Sequence, residues 1–226
     1  DRMTVGEVYQ EPPGTPHLPA SYYGENQDQL HMAFNFAFLY CKWDPDDFLQ
    51  AILEWETAFK KSDWPNYTLS NHDQPRHFYR YAKRGESFER AKIAAALLLT
   101  LRGTPFLYYG EEIGMSCQRI PRDKIQDPVG KKYWPIHPGR DGARLPMCWD
   151  DTNKAGFTEG EPWLPLIWNH RDVNVEKQKN DPESLLEFYR NLIRERKKSK
   201  ALKGGDFRPI ESRPKQILAY LRSVKN

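Results

Sequence analysis

Residues 67–76 read YTLSNHDQPR, a run of β-prone side chains that ends in a dense polar cluster. Tyr67 to Ser70 suit a strand, Asn71, His72 and Asp73 follow without a gap, and Pro75 blocks any continuation. A strand built this way delivers polar side chains at its C-terminal end. The competing reading is a turn, because Asn and Asp side chains close turns on their own backbone.

Working outward, strand patterns begin near Thr4, Met32, Thr68 and Phe106, a spacing typical of βα units. Between them lie two clear helix signals. Asp44-Pro45-Asp46-Asp47 supplies an N-cap, a proline at the first helical position and acidic residues in the first turn, and Phe48, Ile52, Trp55 and Phe59 form the apolar stripe. A second helix starts near Ser87, runs through the apolar stretch 94–99 and stops at Gly103. Residues 30–38, LHMAFNFAF, alternate as a strand, and Thr104 to Glu112 reads as a strand with its exit loop. The stretch Val8–Gln29 has little helical periodicity. The pattern predicts an α/β fold with parallel strands and right-handed crossovers. Eight such units close a TIM (β/α)8 barrel and four make half of one, with chemistry at the C-terminal ends of the strands.

Residues 116–166 are rich in Pro, Gly and Trp and lack periodicity, which in a compact domain points to a functional loop. Asp181-Pro182-Glu183 caps a last helix through Leu185, Leu186, Tyr189 and Ile193. After Gly204-Gly205 the pattern changes to short strands, 207–210 and 217–222. The expected organisation is residues 1–203 as one unit of the α/β fold, including loop 116–166, and 204–226 as the opening of a small all-β domain.

Of 226 residues, 34 are basic and 31 acidic, and no Lys/Arg run is long enough to suggest a nucleic-acid or membrane surface. Twelve Tyr, eleven Phe and seven Trp suit a carbohydrate site, where rings stack on sugar faces. Cys41, Cys117 and Cys148 show neither metal spacing nor a disulfide framework, in keeping with a reducing, cytoplasmic compartment. No apolar run approaches transmembrane length and no signal peptide opens the chain, which begins directly on a strand and reads as the C-terminal part of a larger protein.

NHDQPR after a strand resembles the fourth sequence region of the α-amylase superfamily, glycoside hydrolase family 13. Residues 4–8, TVGEV, resemble its third region. GTPFLYYGEEIGM at 103–115 resembles the eighth barrel strand, and GRDGARLPMCW at 139–149 matches a loop of α-glucosidases and oligo-1,6-glucosidases. The four stretches occur in the family's order. The resemblance implies that this chain carries barrel strands five to eight and the start of the C-terminal β domain.

It also implies roles. Glu7 would be the general acid and base, and Asp73 the carboxylate that stabilises the distorted sugar and, with His72, binds its hydroxyls. Asn71 and Arg76 would reach the same pocket. Arg140 would bind hydroxyls of the terminal glucose, with Asp141 and Arg144 fixing the loop and Arg144 a further candidate for substrate contact. Glu111 and Glu112 read as structural. The nucleophile, an Asp on the fourth strand in the family, would belong to an N-terminal half of the same protein. The implied activity is a retaining α-glucosidase acting at the non-reducing end of short α-linked glucosides, with no cofactor or metal assigned to this chain. This isolated segment would then be inactive. Two alternatives share the resemblance: a transglycosylase or sucrose isomerase of the same subfamily, and the non-catalytic ectodomain of an amino-acid-transporter heavy chain. The presence of Glu7, His72 and Asp73 together favours an enzyme.

Overall fold

The structure, a computed structural model, describes residues 2–25, 28–60, 62–211 and 214–224. Asp1 and the 26–27 portion of the expected first crossover lie outside them. The chain divides into two compact units, one of residues 1–69, 96–106 and 193–226, the other of residues 70–95 and 107–192.

In the first unit, β1 (Val5–Gly6) is followed by a short helix, α1 (His17–Ser21), after the proline-rich stretch. Next come β2 (Met32–Ala33), α2 (Ala37–Tyr40) and the fourteen-residue α3 (Pro45–Ala58). The Asp44 side chain accepts from the backbone N–H groups of Asp46 and Asp47, so this helix begins as its sequence dictates. Its stripe is buried: Ile52 and Trp55 are inaccessible, and the Trp55 indole donates to the Gly14 carbonyl at 2.9 Å. β3 (Asn66–Thr68) leads into the second unit, which contains α4 (His77–Arg80) and the first half of α5 (Ser87–Thr100). The chain then re-enters the first unit for β4 (Thr104–Phe106).

β1 pairs parallel with β2, and β3 parallel with β4. The expected strand over 30–38 is cut to two residues. The Phe34 N–H still donates to the Gly6 carbonyl at 2.9 Å, and on the other edge of the segment a side chain supplies the pairing: the buried Asn66 amide donates to the Ala33 carbonyl at 2.7 Å and its oxygen accepts from the Asn35 N–H at 3.0 Å. Asn66→Ala leaves a buried donor and acceptor unpaired, and we expect a loss of about 2–3 kcal/mol, read as a lower urea midpoint at unchanged slope. The turn before β4 needs Gly103 (φ +120°), because a Cβ there would lie 2.5 Å from the Pro65 carbonyl oxygen.

The second unit holds α6 (Pro128–Tyr133), α7 (Val175–Gln178) and the first part of α8 (Leu185–Lys198). The stretch 116–166, expected to be a loop, contains α6 and contributes Ile120, Ile125, Leu145, Met147 and Leu164 to a buried cluster shared with Ile113, Met115 and Leu186. The helix α6 starts on the Asp127 carboxylate with Pro128 at its first position. At α8 the cap differs from the expected one: the Ser184 hydroxyl accepts from the Glu187 N–H at 3.2 Å, while Asp181 accepts from Glu183 one step earlier.

The chain closes in the first unit with α9 (Lys200–Gly204) and an antiparallel hairpin of β5 (Asp206–Ile210) and β6 (Ala219–Ser223). The Arg222 guanidinium donates to the carbonyls of Thr100 (2.6 Å) and Gly205 (2.8 Å), tying the hairpin to the end of α5. Arg196 in turn satisfies the carbonyls of Leu99 and Leu101, where helical pairing has run out.

Candidate functional site

The second unit gathers most of the polar residues singled out in the sequence. Asn71 settles the turn question for itself: its side-chain oxygen accepts the N–H groups of Asp73 (3.0 Å) and Gln74 (2.8 Å) and closes the bend. Asp73 does not follow it. The Asp73 Oδ1 atom instead accepts from Arg140 Nη1 at 3.0 Å and Arg144 Nη2 at 2.9 Å, and lies 3.5 Å from His72 Nε2. One carboxylate oxygen thus faces two guanidinium groups and an imidazole, while Oδ2 takes none of these contacts.

The two arginines are themselves held. Asp127 accepts Arg140 at Nε and Nη2, both at 3.0 Å, and also its backbone N–H at 2.7 Å. This fork-to-carboxylate pairing keeps the Asp127 carboxyl well below the usual carboxylate range and raises the Arg140 guanidinium further. The inaccessible Asp141 accepts the N–H groups of Gln126 (2.6 Å) and Asp127 (2.9 Å), which fixes the segment that presents Asp127. Arg144 Nε donates to the His72 carbonyl at 2.8 Å, so the Asn71–Asp73 bend and the 139–145 segment are joined directly.

Arg76, expected to reach the same pocket, is fully buried. Its guanidinium carbon lies 4.6 Å from the Tyr108 ring centre and 4.5 Å from that of Tyr109, and Nη1 donates to the Tyr109 carbonyl. Stacking between two rings offsets part of its desolvation, while Nε and Nη2 are buried without a hydrogen-bond partner. The rings are anchored in turn, with the Tyr108 hydroxyl donating to the Ala143 carbonyl and the Tyr109 hydroxyl to that of Leu145. Burial holds both hydroxyls above the usual tyrosine range. Glu111 is inaccessible beside His77 at 3.4 Å. Burial pushes the Glu112 carboxyl up.

Two cavities adjoin the ion-pair network. One of about 590 Å³ is lined by His72 and Arg144 with Tyr109, Trp149, Phe157 and Trp163; the other, about 440 Å³, is lined by Asp73 and Arg140. Both volumes suit a small organic ligand. Composition announced the aromatic residues as a class but could not say which rings face a cavity. The Asp127 site was also missed, although Asp127-Pro128 is a cap-and-proline signal of the kind recognised at Asp44-Pro45. Glu7 belongs to the first unit, directly after β1, and its side chain is exposed. Among the described residues no group of three His, Cys, Asp or Glu side chains is set to hold a metal ion, and no helix is long and apolar enough to cross a membrane.

Comparison with known proteins gives consistent relatives. An oligo-1,6-glucosidase of Parageobacillus thermoglucosidasius is 32% identical over 256 residues, covering all of this chain and 45% of that enzyme. The crystal structure of an alpha-glucosyl transfer enzyme, XgtA, matches with a TM-score of 0.89 at 33% identity, over 99% of this chain and 41% of the other. The trehalulose synthase MutB from Pseudomonas mesoacidophila MX-45 matches with a TM-score of 0.83 at 30% identity, over 99% of this chain and 45% of the other. The chain therefore spans less than half the length of these relatives. The family model for the alpha amylase catalytic domain matches residues 1–205, and the chain belongs to that family, whose fold is the TIM barrel.

Proposed function

We propose that this chain is the strand five-to-eight half of a retaining α-glucosidase, residues 1–203, followed by the opening hairpin of a small β domain, 204–226. The observation that carries the proposal is the Asp73 carboxylate, gripped at one oxygen by Arg140 and Arg144 beside His72, next to an aromatic-lined cavity. That arrangement suits a sugar: rings cover its apolar faces, and charged groups of both signs meet its hydroxyls.

In this reading Glu7 protonates the departing oxygen and then activates water. Asp73 stabilises positive charge developing at the ring. His72, Arg140 and Arg144 bind hydroxyls. Asn71 holds the bend through its oxygen and keeps its NH2 for a ligand, and Arg76 supports the aromatic wall without touching substrate. A retaining mechanism needs a second carboxyl as nucleophile, roughly 5–5.5 Å from the acid. We assign that group to an N-terminal half of the same protein, by family resemblance. A second reading, glucosyl transfer or sucrose isomerisation, draws support from the transferase and trehalulose synthase among the similar structures. Incubating the complete catalytic region with sucrose separates them, since hydrolysis releases free glucose and isomerisation returns a disaccharide.

The half-barrel assignment has its own test. Residues 1–226 alone, incubated with an activated aryl α-glucoside, are expected to show no turnover above buffer. Robust release of the phenol that Glu7→Gln abolishes would overturn it.

A further inference from the structure

The 440 Å³ cavity contains a group that the glycosidase reading does not use. Its lining brings Arg119 together with Arg140 and Asp73, two guanidinium groups against one carboxylate. Arg140 is already engaged by Asp127 and Asp73. Arg119 is different. Its guanidinium carbon stands 4.4 Å from the centre of the Trp134 ring, and it has no carboxylate partner among the described residues. A guanidinium packed over an indole loses rotational freedom, and Arg held in this way can still recognise an oxyanion with two parallel hydrogen bonds. The same cavity offers Asp73 to a hydroxyl, so a molecule held there meets an acceptor and an uncommitted cation in one space.

We infer that this cavity is a binding site for an anionic sugar, a hexose carrying a phosphate or carboxylate, in which Arg119 receives the charged group and Asp73 a hydroxyl. The sugar part of this inference rests on the glycosidase reading; the anion part rests on Arg119 and Trp134. The bland alternative is that Arg119 merely covers the exposed face of Trp134 with its stem. In that case a ligand's charge makes no difference.

The test is calorimetric titration of the complete catalytic region with D-glucose, D-glucose 6-phosphate, D-glucuronate and inorganic phosphate, repeated with Arg119→Gln and Arg119→Lys. The anionic sugars are expected to bind about tenfold more tightly than glucose at low ionic strength, an advantage that shrinks with added salt. Arg119→Gln should remove that advantage and leave glucose binding unchanged, while Arg119→Lys keeps part of it, having charge without the fork. Which anionic sugar gains more identifies phosphate or carboxylate as the preferred group. Equal affinity for glucose and both anionic sugars, or an advantage that survives Arg119→Gln, overturns the inference and leaves the glycosidase reading standing. Inorganic phosphate binding as tightly as glucose 6-phosphate, with no glucose binding, keeps the anion site but removes the sugar from it.

Discussion

Glu7→Ala in the complete catalytic region is expected to slow hydrolysis of an alkyl α-glucoside by about 10²- to 10⁴-fold, the range a positioned general acid contributes. The same substitution should cost much less with an aryl glucoside whose phenol leaves without a proton. The difference follows from the chemistry assigned to Glu7, because only a poor leaving group needs protonation in the transition state. Steady-state rates across a series of leaving groups are the measurement. A uniform loss over the series would take Glu7 out of the acid role, whatever its effect on folding.

The second large effect concerns stability. Asp127→Ala removes the cap of α6 and the partner of Arg140 at three nitrogens, leaving a guanidinium about one-third exposed with Asp73 as its remaining carboxylate partner. A cap is worth about 1 kcal/mol and each hydrogen bond to a charged group about 1.5–3 kcal/mol; partial solvation discounts the total to about 3 kcal/mol. The pH dependence has a definite sign. Arg140 depresses the folded-state pKa of Asp127, so its contribution is complete above the unfolded carboxylate value and fades as pH falls through the folded value. Wild type and Asp127→Ala should therefore differ most near neutrality and converge below about pH 4, where carboxylates begin to protonate even when unfolded. Urea midpoints at pH 7, 4 and 2.5 would show this, and a constant gap would contradict it.

The helices that carry their own punctuation were readable in advance. The α3 helix starts at Pro45 because Asp44 and its neighbours satisfy the first amides, and α5 starts at Ser87 and stops short of Gly103. Strand position was readable but strand length was not, since the edge at Ala33 and Asn35 is paired by a side chain far along the chain, that of Asn66. The stretch 116–166 misleads for another reason: its apolar residues build a core without repeating at any helical or strand period. At the candidate site, the types at 71–73 and 140–144 stood out locally. The interior position of Arg76 did not, because a charged residue just after the NHDQP run reads as one that faces the pocket until the Tyr108 and Tyr109 rings are brought around it. Asn71 shows a further limit: the turn reading of NHD holds at Asn71, whose oxygen closes the bend, while Asp73 pairs with Arg140 and Arg144 instead.

The uneven loading of the Asp73 carboxylate has a stereochemical consequence. With three cationic or potentially cationic neighbours on Oδ1, the two oxygens are no longer equivalent, and Oδ2 is the atom left with uncommitted lone pairs. An incoming polyol is thus met by a single acceptor with a fixed direction rather than by a symmetric fork. An amide in its place, as in Asp73→Asn, would keep its oxygen toward the arginines and turn its NH2 outward, presenting a donor where the carboxylate accepts. The isostere would preserve the shape of the wall and reverse its polarity toward the ligand.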